Sequence, residues 1–238
     1  MNRKIRFVLC DTTHPGNIGA AARSLKTMGF DQLALVRPRF FPDPEADARA
    51  TGAIDVLKKT LVTGSLSDAV ADCGLVVATS ARTRKFNNQE LDPRAAALEI
   101  LAASENTTVA VVFGTESSGL SNAQIDLCQK LIYIPTNPDY SSLNLASAVQ
   151  LIAYELHYAD AIFRPARKPE YPPATNRQME DFYNHLSDAL ISSGFINPNN
   201  PGQLMRRLRL IFNRAELDEH ELNILRGVLS SISVNKNT

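Results

Sequence analysis

The chain has 238 residues, and its 44% hydrophobic and 21% charged residues are ordinary for a globular protein with a well-buried core. Its 25 basic and 25 acidic side chains cancel, so net charge does not predict a nucleic-acid partner, and any site for a polyanion must be a local patch. Three widely spaced cysteines and the lack of a long apolar run argue against a disulfide framework, a signal peptide and a membrane span. We therefore expect a cytoplasmic protein with free thiols and no membrane contact.

The first two thirds of the chain alternate short apolar runs with segments of helical periodicity. The apolar runs are predicted strands, at residues 5–10, 32–36, 75–78, 109–113 and 131–134. The other segments are predicted helices, at residues 18–28, 44–50, 66–72, 93–103, 121–128 and 143–158. This alternation predicts an α/β domain around a mostly parallel sheet, and the nearly continuous apolar character of the strands indicates that both faces are covered.

The last third of the chain has a different organisation. Residues 164–176, RPARKPEYPPATN, contain four prolines and are predicted to form a stiff linker, because proline cannot donate a backbone hydrogen bond. Helical periodicity follows at residues 179–193, 201–213 and 219–231. We therefore expect an α/β domain over residues 1–163 and a small all-α extension over residues 177–238. A core of about 60 residues is marginal alone, so the extension is expected to pack against something else.

Three predicted strands are followed by loops of small and polar residues. These loops contain Thr79, Ser80, Ala81, Gly114, Glu116, Ser141, Ser142 and Leu143. Ligands of open parallel sheets bind outside the carboxyl ends of the strands, and Gly, Ser, Thr and Asn let the backbone approach a ligand closely. Turns are rich in these residues in any protein, so one loop alone is weak support. Three such loops in one sheet predict a slot that binds an adenine and a ribose through the main chain.

Other ligand sites have less support. The chain lacks the P-loop pattern, and its first glycine turn, PGNIGAAAR, is not a G-x-G-x-x-G fingerprint. A nicotinamide oxidoreductase needs an acidic ribose-binding residue about twenty positions further on, where this chain has Phe40 and Phe41. The four histidines are dispersed and show no metal-ligand spacing, so we expect no metal site.

Three blocks together resemble the SPOUT class of RNA ribose methyltransferases. They are NIGAAAR at residues 17–23, VFGTESSGLS at 112–121 and IPTNPDYSSLNLASAVQ at 134–150, and their order and spacing match. The resemblance implies a SPOUT-type α/β domain with a deep trefoil knot, a homodimer, and S-adenosylmethionine as the methyl donor. Shorter matches along the whole chain, such as TSARTR, LDPR and ELNILRG, are similar to bacterial members that 2′-O-methylate tRNA at position 32 of the anticodon loop.

The resemblance also implies roles for individual residues. Arg23 is the expected catalytic arginine, and Asn17 is expected to organise its loop. The residues expected to contact the donor are Thr79, Ser80, Ala81, Gly114, Ile134, Ser141, Ser142 and Leu143. Because a guanidinium does not lose its proton at neutral pH, we expect Arg23 to bind a phosphate and the developing alkoxide rather than act as a base. Glu116 is expected either to contact substrate or to have a structural role.

Binding of tRNA by a neutral chain requires local positive charge. Two clusters are candidates: Arg82, Arg84 and Lys85 after the first loop, and Arg206, Arg207 and Arg209 on a predicted helix of the extension, which is expected to help hold tRNA. Both clusters could instead be solvated faces. Two alternatives to the tRNA function remain: a non-catalytic α/β module that binds RNA or a nucleotide, and a SPOUT enzyme that acts on another RNA.

Overall fold

The computed structural model describes residues 3–80, 90–137, 139–162, 170–197 and 202–234. These residues form an α/β domain followed by three helices. All three cysteines are buried and unpaired. No helix in the described ranges is both long and apolar enough to cross a membrane.

Seven strands form one sheet. They are β1 Ile5–Cys10, β2 Gln32–Val36, β3 Leu61–Thr63, β4 Cys73–Ser80, β5 Glu90–Leu91, β6 Thr108–Phe113 and β7 Lys130–Tyr133. Their order is β3-β2-β1-β6-β4-β7-β5, and every neighbouring pair is parallel, which confirms the predicted parallel α/β sheet. Strands β3 and β5 were not predicted, because both are short and lie at the sheet edges, where little apolar sequence is needed.

Several of the helices begin at residues whose side chains accept from the free amide groups of the first turn. The helices are α1 Pro15–Thr27, α2 Pro44–Ala50, α3 Ile54–Lys58, α4 Leu66–Ala69, α5 Pro93–Ser104, α6 Asn122–Asp126, α7 Leu145–Ile162, α8 Asn176–Ser192, α9 Gly202–Ala215 and α10 Glu219–Val234. Helix α1 begins at residue 15 rather than the predicted 18, because Pro15 is favourable in a first turn. Ser121 and Thr175 each form a capping box, at α6 and α8.

Side chains alternate across the sheet into two apolar layers. In β1, Phe7 and Leu9 enter the layer beneath α1, α5 and α7, while Val8 and Cys10 enter the layer beneath α4 and α6. All four side chains are 0% exposed. Because both faces of the strand are buried, apolar residues occupy five of the six positions of β1, and the exception, Arg6, pairs with Asp72.

The C-terminal helices surround a small core of their own and pack against the amino-terminal edge of the sheet. Asn176 donates to the Leu127 carbonyl at 3.1 Å, and the Arg177 amide donates to the Ala71 carbonyl just before β4. Lys130, the first residue of β7, pairs with Glu99 of α5 and with Glu216 after α9. The extension therefore lies at the end of the sheet opposite to the loops that follow the strands.

Candidate active site

A cavity opens at the carboxyl ends of β4, β6 and β7, where the three loops leave the sheet. Its wall includes most of the predicted donor-contacting residues: Thr79, Ser80, Gly114, Ile134, Ser141, Ser142 and Leu143. The remaining one, Ala81, lies outside the described residues. Three segments that are far apart in sequence therefore share one cavity, which we call the donor pocket after the predicted donor contacts in its wall.

The wall of the donor pocket combines buried apolar side chains with serine, threonine and glycine residues. Phe113, Leu120 and Ile134 are 1%, 3% and 4% exposed. Thr79 turns its hydroxyl into the sheet and donates to the Val112 carbonyl at 3.0 Å. Among the described wall residues, Glu116 is the one charged group. Such a surface suits the flat, neutral part of a nucleoside better than a phosphate chain.

Two glycines allow the loop after β6 to fold back on itself. A Cβ at Gly114 would lie 2.1 Å from the carbonyl carbon of Gly119, far inside contact distance. Gly119 has a φ of +70°, in the left-handed region that glycine adopts without strain, and its amide donates to the Thr115 carbonyl at 3.0 Å. The shape of this wall of the donor pocket therefore depends on both glycines.

A chain of hydrogen bonds joins the three sequence blocks beside the donor pocket. Asn144 Nδ2 donates to Asn17 Oδ1 at 2.9 Å, and Asn17 Nδ2 donates to Glu116 Oε1 at 2.9 Å. The second carboxylate oxygen of Glu116 accepts from the amide and the hydroxyl of Thr13, at 3.2 and 3.0 Å. We call these four residues the asparagine–glutamate network. It fixes the start of α1 against the loops after β6 and β7.

The network keeps Glu116 ionised. Partial burial raises the pKa of its carboxyl, but the hydrogen bonds from Asn17 and Thr13 outweigh that effect, so the pKa lies below its usual value. Glu116 therefore orients Asn17 as a negatively charged acceptor. The sequence allowed either a substrate contact or a structural role for Glu116, and the structure shows a hydrogen bond to Asn17.

Asn144 is a member of the network that the sequence interpretation did not select. Its Oδ1 accepts from the Ala146 amide at 2.9 Å and the Ser147 amide at 3.3 Å, so it caps α7. The cap leaves the amide nitrogen for Asn17. The sequence did contain a signal for this cap, because Asn144 directly precedes a long helical segment and asparagine is a preferred N-cap residue.

Arg23 lies six residues beyond Asn17 on the solvent side of α1 and is exposed. Its guanidinium makes no hydrogen bond or ion pair with the part of the chain that the structure describes, although its carbonyl accepts from the Thr27 hydroxyl. The described wall of the donor pocket does not include Arg23. Its helix neighbours Ala20 and Ser24 line a shallow groove between α1 and α7. Arg23 is thus available to a molecule other than its own chain.

The predicted RNA-binding arginines differ in their surroundings. Arg209 makes two hydrogen bonds to Glu180, at 2.5 and 2.8 Å, and its guanidinium carbon lies 4.3 Å from the centre of the Tyr183 ring. Arg206 donates to Asp126 of the α/β domain at 2.9 Å. Arg207 is exposed. The other predicted cluster, Arg82, Arg84 and Lys85, lies outside the described residues.

No group of three or more His, Cys, Asp or Glu side chains within the described ranges could hold a metal ion. His157 has a structural contact instead: its ring nitrogen Nδ1 lies 3.0 Å from the Met28 carbonyl oxygen and links α7 to the end of α1. The polar groups in the described wall of the donor pocket are main-chain amides, hydroxyls and one carboxylate. This set can bind and orient an organic ligand through hydrogen bonds.

Two family models match the chain. The SpoU rRNA Methylase family matches residues 4–154, and the tRNA methyltransferase TrmJ, C-terminal domain, matches residues 177–238. The tRNA (cytidine/uridine-2'-O-)-methyltransferase TrmJ of Cronobacter sakazakii is 46% identical over 242 residues, which cover 100% of this chain and 99% of that protein.

Solved structures share the fold. TrmJ from Z. mobilis ZM4 is 35% identical with a TM-score of 0.83, over 96% of this chain and 98% of that one. The SpoU methyltransferase AviRb from Streptomyces viridochromogenes, in complex with the cofactor AdoMet, is alike in fold, with a TM-score of 0.53 and 24% identity over 68% of this chain and 63% of that one. The predicted family and fold class are confirmed: the chain belongs to the SpoU methylase family and, within it, to the TrmJ group.

Proposed function

We propose that the chain transfers a methyl group from S-adenosylmethionine to the 2′-hydroxyl of a tRNA ribose, at cytidine and/or uridine 32 of the anticodon loop. The observation that supports this proposal most strongly is that two of the sequence blocks form one donor pocket with the end of β4, while the asparagine–glutamate network joins all three blocks beside it. The substrate class agrees with the names of the related TrmJ proteins. Position 32 follows from the sequence resemblance.

The donor pocket fits the nucleoside part of S-adenosylmethionine. Its buried apolar walls match an adenine ring, and the tight turn at Gly114 brings main-chain groups to the cavity surface. We assign the residues that would hold the donor as Thr79, Ser80, Ala81, Gly114, Ile134, Ser141, Ser142 and Leu143. When bound, S-adenosylmethionine supplies a methyl group activated by the positive charge on its sulfur.

We assign to Arg23 the positioning of the RNA strand at the reacting ribose. Its planar guanidinium can bind a neighbouring phosphate through two hydrogen bonds. Its positive charge also stabilises negative charge that develops on the 2′-oxygen, which makes the hydroxyl easier to deprotonate. Asn17, held by Glu116 and Asn144, orders the start of the helix that carries Arg23.

The same arrangement supports a homodimer. Arg23 is exposed and absent from the described wall of its own donor pocket, and two half-exposed tyrosines, Tyr154 and Tyr158, stack beside the groove between α1 and α7. We infer that a second copy covers this face and that Arg23 completes the partner's site. Mixing Arg23→Ala with Gly114→Ala tests this: mixed dimers regain activity if Arg23 acts across the interface, and stay inactive if it acts within its own chain.

We assign residues 1–163 to a methyltransferase domain that contains the trefoil knot of the SPOUT class, 164–176 to a linker and 177–238 to a tRNA-binding extension. Arg207 is the exposed member of the arginine cluster on α9, and we assign it to tRNA phosphates. Arg206 and Arg209 support the same surface by fixing α9 through Asp126 and Glu180. Arg82, Arg84 and Lys85 follow the donor-pocket strand β4 directly and are assigned to the RNA strand near the reacting ribose.

The central experiment is mass mapping of tRNA after incubation with the purified protein and labelled S-adenosylmethionine. We expect one 2′-O-methyl group at nucleotide 32, and at least a tenfold loss in Arg23→Lys with donor affinity unchanged, because lysine lacks the two-pronged donor. Methylation at another nucleotide or in another RNA would refute the assigned position. Near wild-type activity in Arg23→Lys would refute the role of the guanidinium, and no heat on donor titration would indicate a non-catalytic module.

A further inference from the structure

The loop between β2 and α2, residues 37–43, leaves the sheet at the same edge as the donor pocket. Val36, the last residue of β2, pairs with Cys10 at the end of β1, so the segments that follow the two strands run side by side. The Arg39 amide donates to the Thr12 carbonyl at 3.0 Å. The next residue, Thr13, donates to Glu116. The loop is therefore tied to the chain directly beside the asparagine–glutamate network.

The loop is held firmly in this position. Arg37 and Asp11 both have positive φ, 47° and 53°, and are joined by hydrogen bonds of 2.8 and 3.0 Å. Gln124 donates to the same Asp11 carboxylate at 3.0 Å. At the other end, Asp43 caps α2. Left-handed backbone at two non-glycine residues persists only where surrounding contacts impose it, so these contacts fix the backbone where the loop leaves β2.

The adjacent side chains of Arg39 and Phe40 are exposed and do not pack into the core of the domain. Phe41 packs against the main apolar layer, whereas its neighbour Phe40 is 49% exposed. Arg39 is exposed, and its guanidinium carbon lies 5.2 Å from the centre of the Phe40 ring. Arg39 makes no ion pair within the described ranges, in contrast to Arg37, which is bound to Asp11. An aromatic face and a cation are therefore displayed together.

An exposed ring beside a guanidinium is a surface that binds unpaired nucleotides. Unstacked bases of single-stranded RNA stack on aromatic side chains and on guanidinium planes, and arginine also contacts the phosphates. We propose that Arg39 and Phe40 bind an RNA nucleotide next to the methylated one, with its base against Phe40 and its phosphate near Arg39. This inference rests on the proposed function in taking RNA as the substrate, and it adds a binding site in a loop outside the three family blocks.

The test compares Arg39→Ala and Phe40→Ala with the wild type, using an anticodon stem–loop RNA and the full tRNA. We expect Phe40→Ala to bind RNA about fivefold or more weakly with an unchanged salt dependence, because stacking is lost. Arg39→Ala is expected to reduce the slope of log affinity against log salt by about 0.7, the value for one phosphate contact on a single strand. Phe40→Trp should retain wild-type affinity. Arg49→Ala, an exposed cation at the far end of α2, is the matched control and should change neither quantity.

Donor affinity separates this inference from the proposed function. All variants should bind S-adenosylmethionine within twofold of wild type, and the loss should be in KM for RNA rather than in kcat. If both alanine variants bind and methylate RNA within twofold of wild type, or Phe40→Trp fails as badly as Phe40→Ala, the inference is wrong. If the wild type methylates a different RNA, the assigned substrate is wrong, and the same variants assayed on that RNA decide the role of the loop.

Discussion

Replacing Gly114 with alanine should close the donor pocket. The added Cβ would lie 2.1 Å from the Gly119 carbonyl carbon and 2.2 Å from the Leu120 amide nitrogen, both backbone atoms that no side-chain rotation can move. Ordinary contact begins at 3.4 Å, so the loop after β6 must shift by about 1.3 Å. Overpacking of this kind costs about 1–3 kcal/mol. If the loop must return to its wild-type position for the donor to bind, the same free energy is lost from binding, and donor affinity falls by about 5- to 150-fold.

Titration calorimetry with S-adenosylmethionine measures this effect, and thermal unfolding reports whether the variant stays folded. Gly64→Ala is the matched control, since a Cβ there meets no atom within 4 Å. Gly119→Ala distinguishes a steric clash from backbone strain. A Cβ at residue 119 also meets no atom within 4 Å, whereas the φ of +70° is unfavourable for alanine. We expect a smaller loss of affinity in Gly119→Ala than in Gly114→Ala. Donor binding by Gly114→Ala within twofold of wild type would refute the close-approach argument.

Three further predictions concern the network and the extension. Asn144→Asp should keep the α7 cap and thermal stability but lose methylation, whereas Asn144→Ala should also lose about 1 kcal/mol of unfolding free energy. Because the pKa of Glu116 is lowered in the folded state, ionised Glu116 stabilises the fold. This contribution is complete above the ordinary glutamate pKa of about 4.3 and is lost as the pH falls through the folded-state pKa. Glu116→Gln should therefore reduce the dependence of the unfolding free energy on pH in this acidic range. Arg209→Ala should lower the stability of the extension by about 1–3 kcal/mol, whereas Arg207→Ala should only weaken tRNA binding and reduce its salt dependence.

Each of these has a measurement that can contradict it. Full methylation by Asn144→Asp would show that the bond to Asn17 is dispensable. Parallel stability profiles of wild type and Glu116→Gln between pH 3 and 5, a window of about two units around the ordinary value, would show that the network does not hold the carboxylate. Equal unfolding temperatures for Arg209→Ala and Arg207→Ala would show that the Glu180 pair is not structural.

Strands that are buried on both faces were predictable because burial leaves a strong local pattern. Strand β1 needs apolar residues towards both layers, and its predicted bounds, 5–10, match Ile5–Cys10. Strand β3 lacks that signal, since Leu61 and Val62 are 44% and 51% exposed at an edge. Strand β5 has only two residues, Glu90 and Leu91, and its existence depends on pairing with β7.

Long-range polar contacts were not predictable from local sequence. Asn17 and Asn144 are 127 positions apart, and only the folded sheet brings the start of α1 to the start of α7. Likewise, the sequence shows Arg209 as one of several similar helix arginines, but Glu180 lies 29 positions earlier on a different helix. A helix period shows which side chains share a face and does not identify the residue opposite that face.

The position of the extension has a consequence for the size of the substrate. The extension packs at the amino-terminal edge of the sheet and the donor pocket opens at the carboxyl edge, so within one protomer they are separated by the length of β4. Eight residues at about 3.3 Å each make this about 26 Å. A nucleoside or a dinucleotide is too small to touch both ends, whereas an intact anticodon arm is long enough. If the extension binds tRNA as proposed, the enzyme discriminates against short RNA fragments by length alone, without reading a single base.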